Sequence, residues 1–291
     1  MPRYQYLQVD AFTNTPLTGN ACLVVLDADD MPADTMQALA RETNLSETAF
    51  LLRSDRADFR ARYFTPAEEI PLAGHPTLAV TRTLIDSGRL DLAHKRTFTL
   101  ELKAGVITVE IDDRENITMA QRPPVFMNTY DAAAVLPVFG LRADDALPGV
   151  PLQTVSTGTP QLMIPIRRLE RLREAVMDMR AYLTLKAQGD FFSPHLFCLE
   201  GISADAKTFA RHFGSSPDTY EDPFTGSATG GMGAYLWRYG LIAQPRFIAE
   251  QGHGMQRPGR AMVEVVGAPD AMTTVKVGGA AVTVMRGEIL L

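Results

Sequence analysis

The chain has 291 residues, 46% of them hydrophobic and 21% charged, which suits one large domain or two lobes with substantial cores. Its net charge of −6 excludes the basic surface that general binding to nucleic acid or anionic membrane requires. No apolar run approaches the roughly 18 residues needed to cross a bilayer. The opening Met1-Pro-Arg-Tyr-Gln-Tyr reads as strand rather than signal peptide, so a soluble cytoplasmic protein is expected.

Hydrophobic periodicity predicts first-half strands at 7–12 and 21–26, a helix at 33–42, and strands at 48–52, 61–64, 97–102 and 106–111. Charge and then Pro123-Pro124 interrupt the pattern between residues 112 and 128. The second half offers strands at 153–156, 161–166, 195–200, 246–251, 261–266, 274–277 and 281–286, and a helix at 204–213. Two lobes are expected, 1–118 and 119–291, with the final strand free to return to the first. Cys22 and Cys198 sit inside apolar stretches and read as buried free thiols. The five histidines show no metal-ligand spacing, so no metal site is expected.

A repeat links the two halves. Residues 71–90 (PLAGHPTLAVTRTLIDSGRL) and 223–242 (PFTGSATGGMGAYLWRYGLI) align without gaps at an offset of 152. Pro71, Gly74, Thr77, Leu84 and Gly88 meet Pro223, Gly226, Thr229, Leu236 and Gly240. Each segment reads as a buried helix, with a Gly turn at its head and Gly where a C-terminal cap belongs. A helix N-terminus presents unpaired N–H groups and the positive end of the helix dipole, which suits a carboxylate. Two ordinary Gly-capped core helices would leave the same spacing, and the pattern does not choose between these readings. The Gly-rich run at 226–233 lacks both nucleotide-binding glycine signatures, and Gly226-Ser-Ala-Thr-Gly230 is not a nucleophile elbow.

Asn44-Leu-Ser-Glu-Thr48, Gly74-His-Pro-Thr77 and Glu221-Asp-Pro-Phe-Thr-Gly-Ser-Ala228 resemble three signatures of the phenazine-biosynthesis PhzF-like proteins. Gln8-Val-Asp-Ala-Phe-Thr13, Gly19-Asn20 and Glu250-Gln-Gly252 extend the resemblance along almost the whole chain. It implies a diaminopimelate-epimerase-like α/β (α+β) fold: two pseudo-repeated lobes, each a curled mixed sheet or barrel around a central helix, with the active site between them. It further implies a homodimer without a cofactor, and isomerisation of a small cyclic or unsaturated amino- or hydroxy-carboxylate. By the same resemblance Glu47 is the acid–base, His75 and Asp222 complete the catalytic set, and Ser46, Gly74, Gly226 and Ser227 bind substrate. The segment Gly252-His-Gly-Met-Gln-Arg257 departs from the commoner pattern and bears on substrate choice.

Related epimerases carry a cysteine at each helix head, whereas this chain has Gly74-His75 and Gly226-Ser227 there. A two-thiol racemase is therefore disfavoured. Two alternatives stay open beside the isomerase: an epimerase or racemase with non-thiol bases, and a non-catalytic small-molecule-binding protein of the same fold.

Overall fold

A computed structural model describes residues 1–216 and 219–291. In chain order the first half holds β1 (Arg3–Ala11), β2 (Asn20–Val25), α1 (Ala33–Thr43), β3 (Glu47–Leu52), β4 (Phe59–Phe64), β5 (Glu69–Ile70), α2 (Gly74–Asp86), β6 (Thr97–Leu102), β7 (Gly105–Ile111) and β8 (Ile117–Ala120). There follow β9 (Val125–Tyr130), α3 (Ala132–Val135), β10 (Leu152–Ser156), β11 (Pro160–Pro165), α4 (Leu169–Glu174), α5 (Met179–Gln188) and β12 (Ser193–Cys198). The chain ends with β13 (Thr208–Ser216), β14 (Thr219–Asp222), α6 (Gly226–Arg238), β15 (Arg246–Gln251), β16 (Gly259–Ala268), β17 (Ala271–Gly279) and β18 (Ala281–Leu290). Residues 1–120, 257–259 and 278–291 form one compact unit, and residues 121–256 and 260–277 form another.

The duplication read from two helices extends to strand topology. In the first unit β1 pairs antiparallel with β2, β2 parallel with β3, and β3 antiparallel with β4. β4 then pairs parallel with β6 through a crossover containing α2. In the second unit β10, β11, β12, β13 and β15 repeat the same series of directions, with α6 in the final crossover. The short strands β5 and β14 each pair back on the strand before them: Ile70 lies opposite Tyr63, and Asp222 opposite His212. Ile70 and Asp222 are again 152 residues apart.

Alternation along the strands separates two faces of each sheet. In the first unit Leu23, Val25, Phe50 and Phe64 pack with Met36 and Leu39 of α1. α2 lies against β1, β2, β3, β8 and β18 and is buried along most of its length. In the second unit Leu162, Ile164, Leu196, Phe209 and Phe213 share a cluster with Leu169 and Leu172 of α4. α6 lies against β10 and β11; a Cβ at its Gly233 would lie 2.6 Å from Val263 Cγ1, and one at Gly231 would have to push aside the Met163 methyl at 2.8 Å.

Both central helices end in one way. Gly88 (φ +71°) and Gly240 (φ +64°) turn left-handed, and the next residue's N–H returns to the helix, Arg89 to the Leu84 carbonyl and Leu241 to that of Leu236, each at 2.9 Å. Thr77 and Thr229 each bond back four residues, to the Ala73 and Thr225 carbonyls, at 2.8 and 2.9 Å.

One sequence expectation fails. Residues 204–213 do not form a helix; from Thr208 the segment is β13, paired with β12, β14 and β15. Phe209 and Phe213 are four apart, a spacing that puts them on one side of a helix and equally on one side of a strand. Pairing on both edges decides for the strand. Beside α4, Arg171 donates to the buried Asp145 at 2.9 Å.

Candidate functional site

In the first unit, Glu47 and His75 come together from two elements. α1 ends at Asn44, which takes a left-handed turn (φ 51°, ψ 33°) and bonds the Ala40 carbonyl. Leu45 and the half-buried Ser46 follow, and Glu47 opens β3 beside Cys22 of β2. His75 is the second residue of α2, after Gly74. Its Nε2 lies 3.1 Å from Glu47 Oε2, close but not aligned as a hydrogen bond. On the other side of the ring, Asn20 Nδ2 is 3.2 Å from His75 Nδ1.

These contacts fix the proton on the imidazole. Burial pushes the His75 pKa down to about 3, so the ring is neutral near pH 7. An amide nitrogen only donates, so Nδ1 accepts from Asn20 and the ring proton sits on Nε2, on the Glu47 side. Because the imidazole is neutral, the Glu47 contact is not an ion pair. Cys22 is fully buried, and both burial and the nearby Glu47 charge push its thiol pKa up. It is no thiolate base.

In the second unit Asp222 ends β14 and is 5% exposed. Its carboxylate accepts a hydrogen bond from the Thr225 hydroxyl, and its carbonyl accepts one from Gln251 Nε2 at 2.8 Å. Thr225 precedes α6, and its hydroxyl is spent on Asp222 rather than on capping. The helix head is gripped instead through its carbonyls: Gln121 Nε2 donates to Gly226 at 2.9 Å, and Thr157 Oγ1 donates to Gln121 Oε1 at 2.5 Å. Ser227 stays half-buried in the first turn.

The topological repeat pairs these two places in sequence terms. The counterpart of Glu47, at the start of the third strand of the series, is Ser193 in β12. Ser193 is fully buried; its hydroxyl donates to Gln161 Oε1 at 2.7 Å and lies 2.9 Å from His212 Nε2. His212 Nδ1 is in turn 3.2 Å from His195 Nδ1. Burial holds His195 down to about 3 and His212 well below its usual range, so both rings are neutral near pH 7. Residue spacing could not reveal this pair, because histidines 17 positions apart meet only through the β12–β13 register. Asn20 belonged to a recognised motif, but nothing in its sequence context marked it as the partner of His75.

The duplicated α/β fold is one shared by a class of isomerases. The sequence profile of the family described as "Phenazine biosynthesis-like protein" matches residues 9–287. The chain belongs to this PhzF family and is an isomerase. It is 36% identical to the Bacillus subtilis uncharacterized isomerase YfhB, over 91% of this chain and 92% of that one. It is 32% identical to trans-2,3-dihydro-3-hydroxyanthranilate isomerase of Pseudomonas fluorescens, over 99% and 100% of the two chains. The crystal structure of a Bacillus anthracis PhzF-family phenazine biosynthesis protein superimposes with a TM-score of 0.91 at 32% identity and full coverage of both chains.

Proposed function

We propose that the enzyme isomerises a small cyclic or unsaturated amino- or hydroxy-carboxylate, without a cofactor, by moving one proton between carbons through Glu47. The observation that carries this reading is the Glu47 carboxylate held 3.1 Å from a buried, neutral imidazole at the head of α2. Glu47 takes a carbon-bound proton, exchanges it with solvent as a carboxylic acid, and returns a proton to another carbon of the same substrate, with the His75 Nε2–H facing it throughout. In this reading Asp222 accepts a hydrogen bond from a substrate amine or hydroxyl. Ser227, with the backbone at Gly226, Gly74 and Ser46, binds substrate, the N–H groups heading α2 and α6 favouring its carboxylate. On the same reading the enzyme works as a homodimer in the cytoplasm.

The internal repeat favours isomerisation over epimerisation. Inverting a stereocentre calls for a base on each face of the carbon. The position equivalent to Glu47 is Ser193, whose hydroxyl is committed to Gln161. A single base that both removes and returns the proton suits a shift along one face.

The test is proton exchange in heavy water followed by NMR. The panel holds dihydroaromatic and unsaturated amino-carboxylates, trans-2,3-dihydro-3-hydroxyanthranilate among them. Enzyme-dependent deuterium should appear at a new carbon, and Glu47→Gln should lower the rate by about a hundredfold or more. Deuterium confined to the original stereocentre would establish an epimerase instead. Saturable binding with no exchange across the panel would point to a binding protein.

A further inference from the structure

Arg257 lies far along the chain, yet residues 257–259 belong to the first unit. Its guanidinium reaches three groups there. Nη2 is 2.7 Å from Asp10 Oδ1 and 2.9 Å from the Thr18 carbonyl, and Nε is 2.8 Å from the Gly19 carbonyl. Asp10 is 1% exposed, and its other oxygen accepts the Leu17 N–H at 2.7 Å. The neighbouring Pro258 carbonyl accepts the Gly19 N–H at 3.0 Å. The turn from Leu17 to Gly19 is thus held at both backbone carbonyls, at two backbone N–H groups and at a buried carboxylate.

The turn needs such a clamp. Phe12 and Leu17 have φ of 61° and 67°, a region that costs a side chain about 1 kcal/mol or more. Gly19 has φ +59°, and a Cβ there would meet the Ala11 carbonyl oxygen at 2.2 Å. The residue delivered by this strained turn is Asn20, 1% exposed, whose amide faces His75 Nδ1. A rigid fork with several donors suits two carbonyls and a carboxylate at once, and a lysine cannot replace all three contacts.

We propose that Arg257 is a positioning residue of the isomerase: by clamping Thr18 and Gly19 it sets Asn20, and Asn20 holds His75 in the Nε2–H form that faces Glu47. The catalytic consequence rests on the Glu47–His75 reading above; the structural link from Arg257 to His75 does not.

The test is nitrogen NMR of ring-labelled histidine, with the His75 signals assigned by His75→Gln. The wild-type ring should show one tautomer, protonated at Nε2 and bare at Nδ1. Arg257→Gln should release the turn and leave His75 a mixture of both tautomers. The double variant Asp10→Asn/Arg257→Gln removes both charges together, so it does not strand a buried carboxylate, and it should show the same mixture. Arg257→Lys keeps the Asp10 pair and should fall between. If trans-2,3-dihydro-3-hydroxyanthranilate is turned over, kcat should fall about tenfold to a hundredfold in the double variant while KM stays within a few-fold. A wild-type tautomer pattern in the folded double variant would overturn the proposal. Full turnover by Glu47→Gln would defeat the functional reading and leave the tautomer result standing.

Discussion

Gly230 shows how tightly single positions around the second helix head are constrained. A Cβ there would lie 1.9 Å from Gln121 Oε1. That amide cannot simply swing aside, because Thr157 and the Gly226 carbonyl hold its two ends. Gly230→Ala should therefore destabilise the protein by about 1–3 kcal/mol, the usual cost of forcing extra volume into a packed site, despite alanine's better helix propensity. Urea unfolding would measure it; an unchanged or raised midpoint would mean that Gln121 is not fixed as described. Residue spacing marked Gly230 as small but could not name Gln121, which is 109 positions away in sequence. Glu47, His75 and Asp222 were legible because each belongs to a motif. Asn20, Gln121, Ser193 and Arg257 act through contacts that only the folded chain makes.

Among the elements, the two central helices were the most legible, because punctuation at both ends agrees with the pattern between them. Each runs for 13 residues, and each ends in a left-handed glycine. A Cβ at Gly88 or Gly240 would meet nothing within 4 Å, so the cost of alanine there comes from backbone conformation alone. Gly88→Ala and Gly240→Ala should each lower stability by about 1 kcal/mol. The double mutant, whose changes lie in different units, should lose about the sum. Calorimetry of the three variants would decide, and a neutral effect at either site would argue against the left-handed cap there. β13 was misread for the opposite reason. Its apolar residues sit at a spacing shared by helix and strand, and no glycine or proline inside residues 204–213 breaks the tie. The pairing that settles it joins β13 to strands on both sides, a non-local fact.

At the scale of the whole molecule, the sequence signalled a duplicated two-lobe α/β protein but not how far the repeat extends. Strand direction, crossover helices and the short β5 and β14 returns all correspond, although only scattered identities survive. Divergence shows most in what the inner faces hold: Glu47 and Tyr63 in one unit, Ser193 and His212 in the other. This has a consequence for stability. His75, His195 and His212 are all buried and neutral, with His75 and His195 held down to about 3. Their native pKa values lie below the unfolded value near 6.5, so between about pH 3 and pH 6.5 the unfolded chain binds more protons than the native one. Stability is then complete above about pH 6.5 and falls on acidification, by about 1.4 kcal/mol per pH unit for each such ring. The half-buried His253 is shifted the same way. Carboxylates with lowered pKa values, such as Asp58 at about 2, contribute stability that is lost only below about pH 4, so they leave the interval from 5 to 6.5 to the histidines. Urea midpoints should be level from pH 7 to 8 and should drop steeply between pH 6.5 and 5. Replacing His195 with glutamine should make that drop shallower even if it lowers stability at pH 7.5. A midpoint that holds steady down to pH 5 would mean that the buried rings are charged in the native state, and with it the single-tautomer account of His75 would fall.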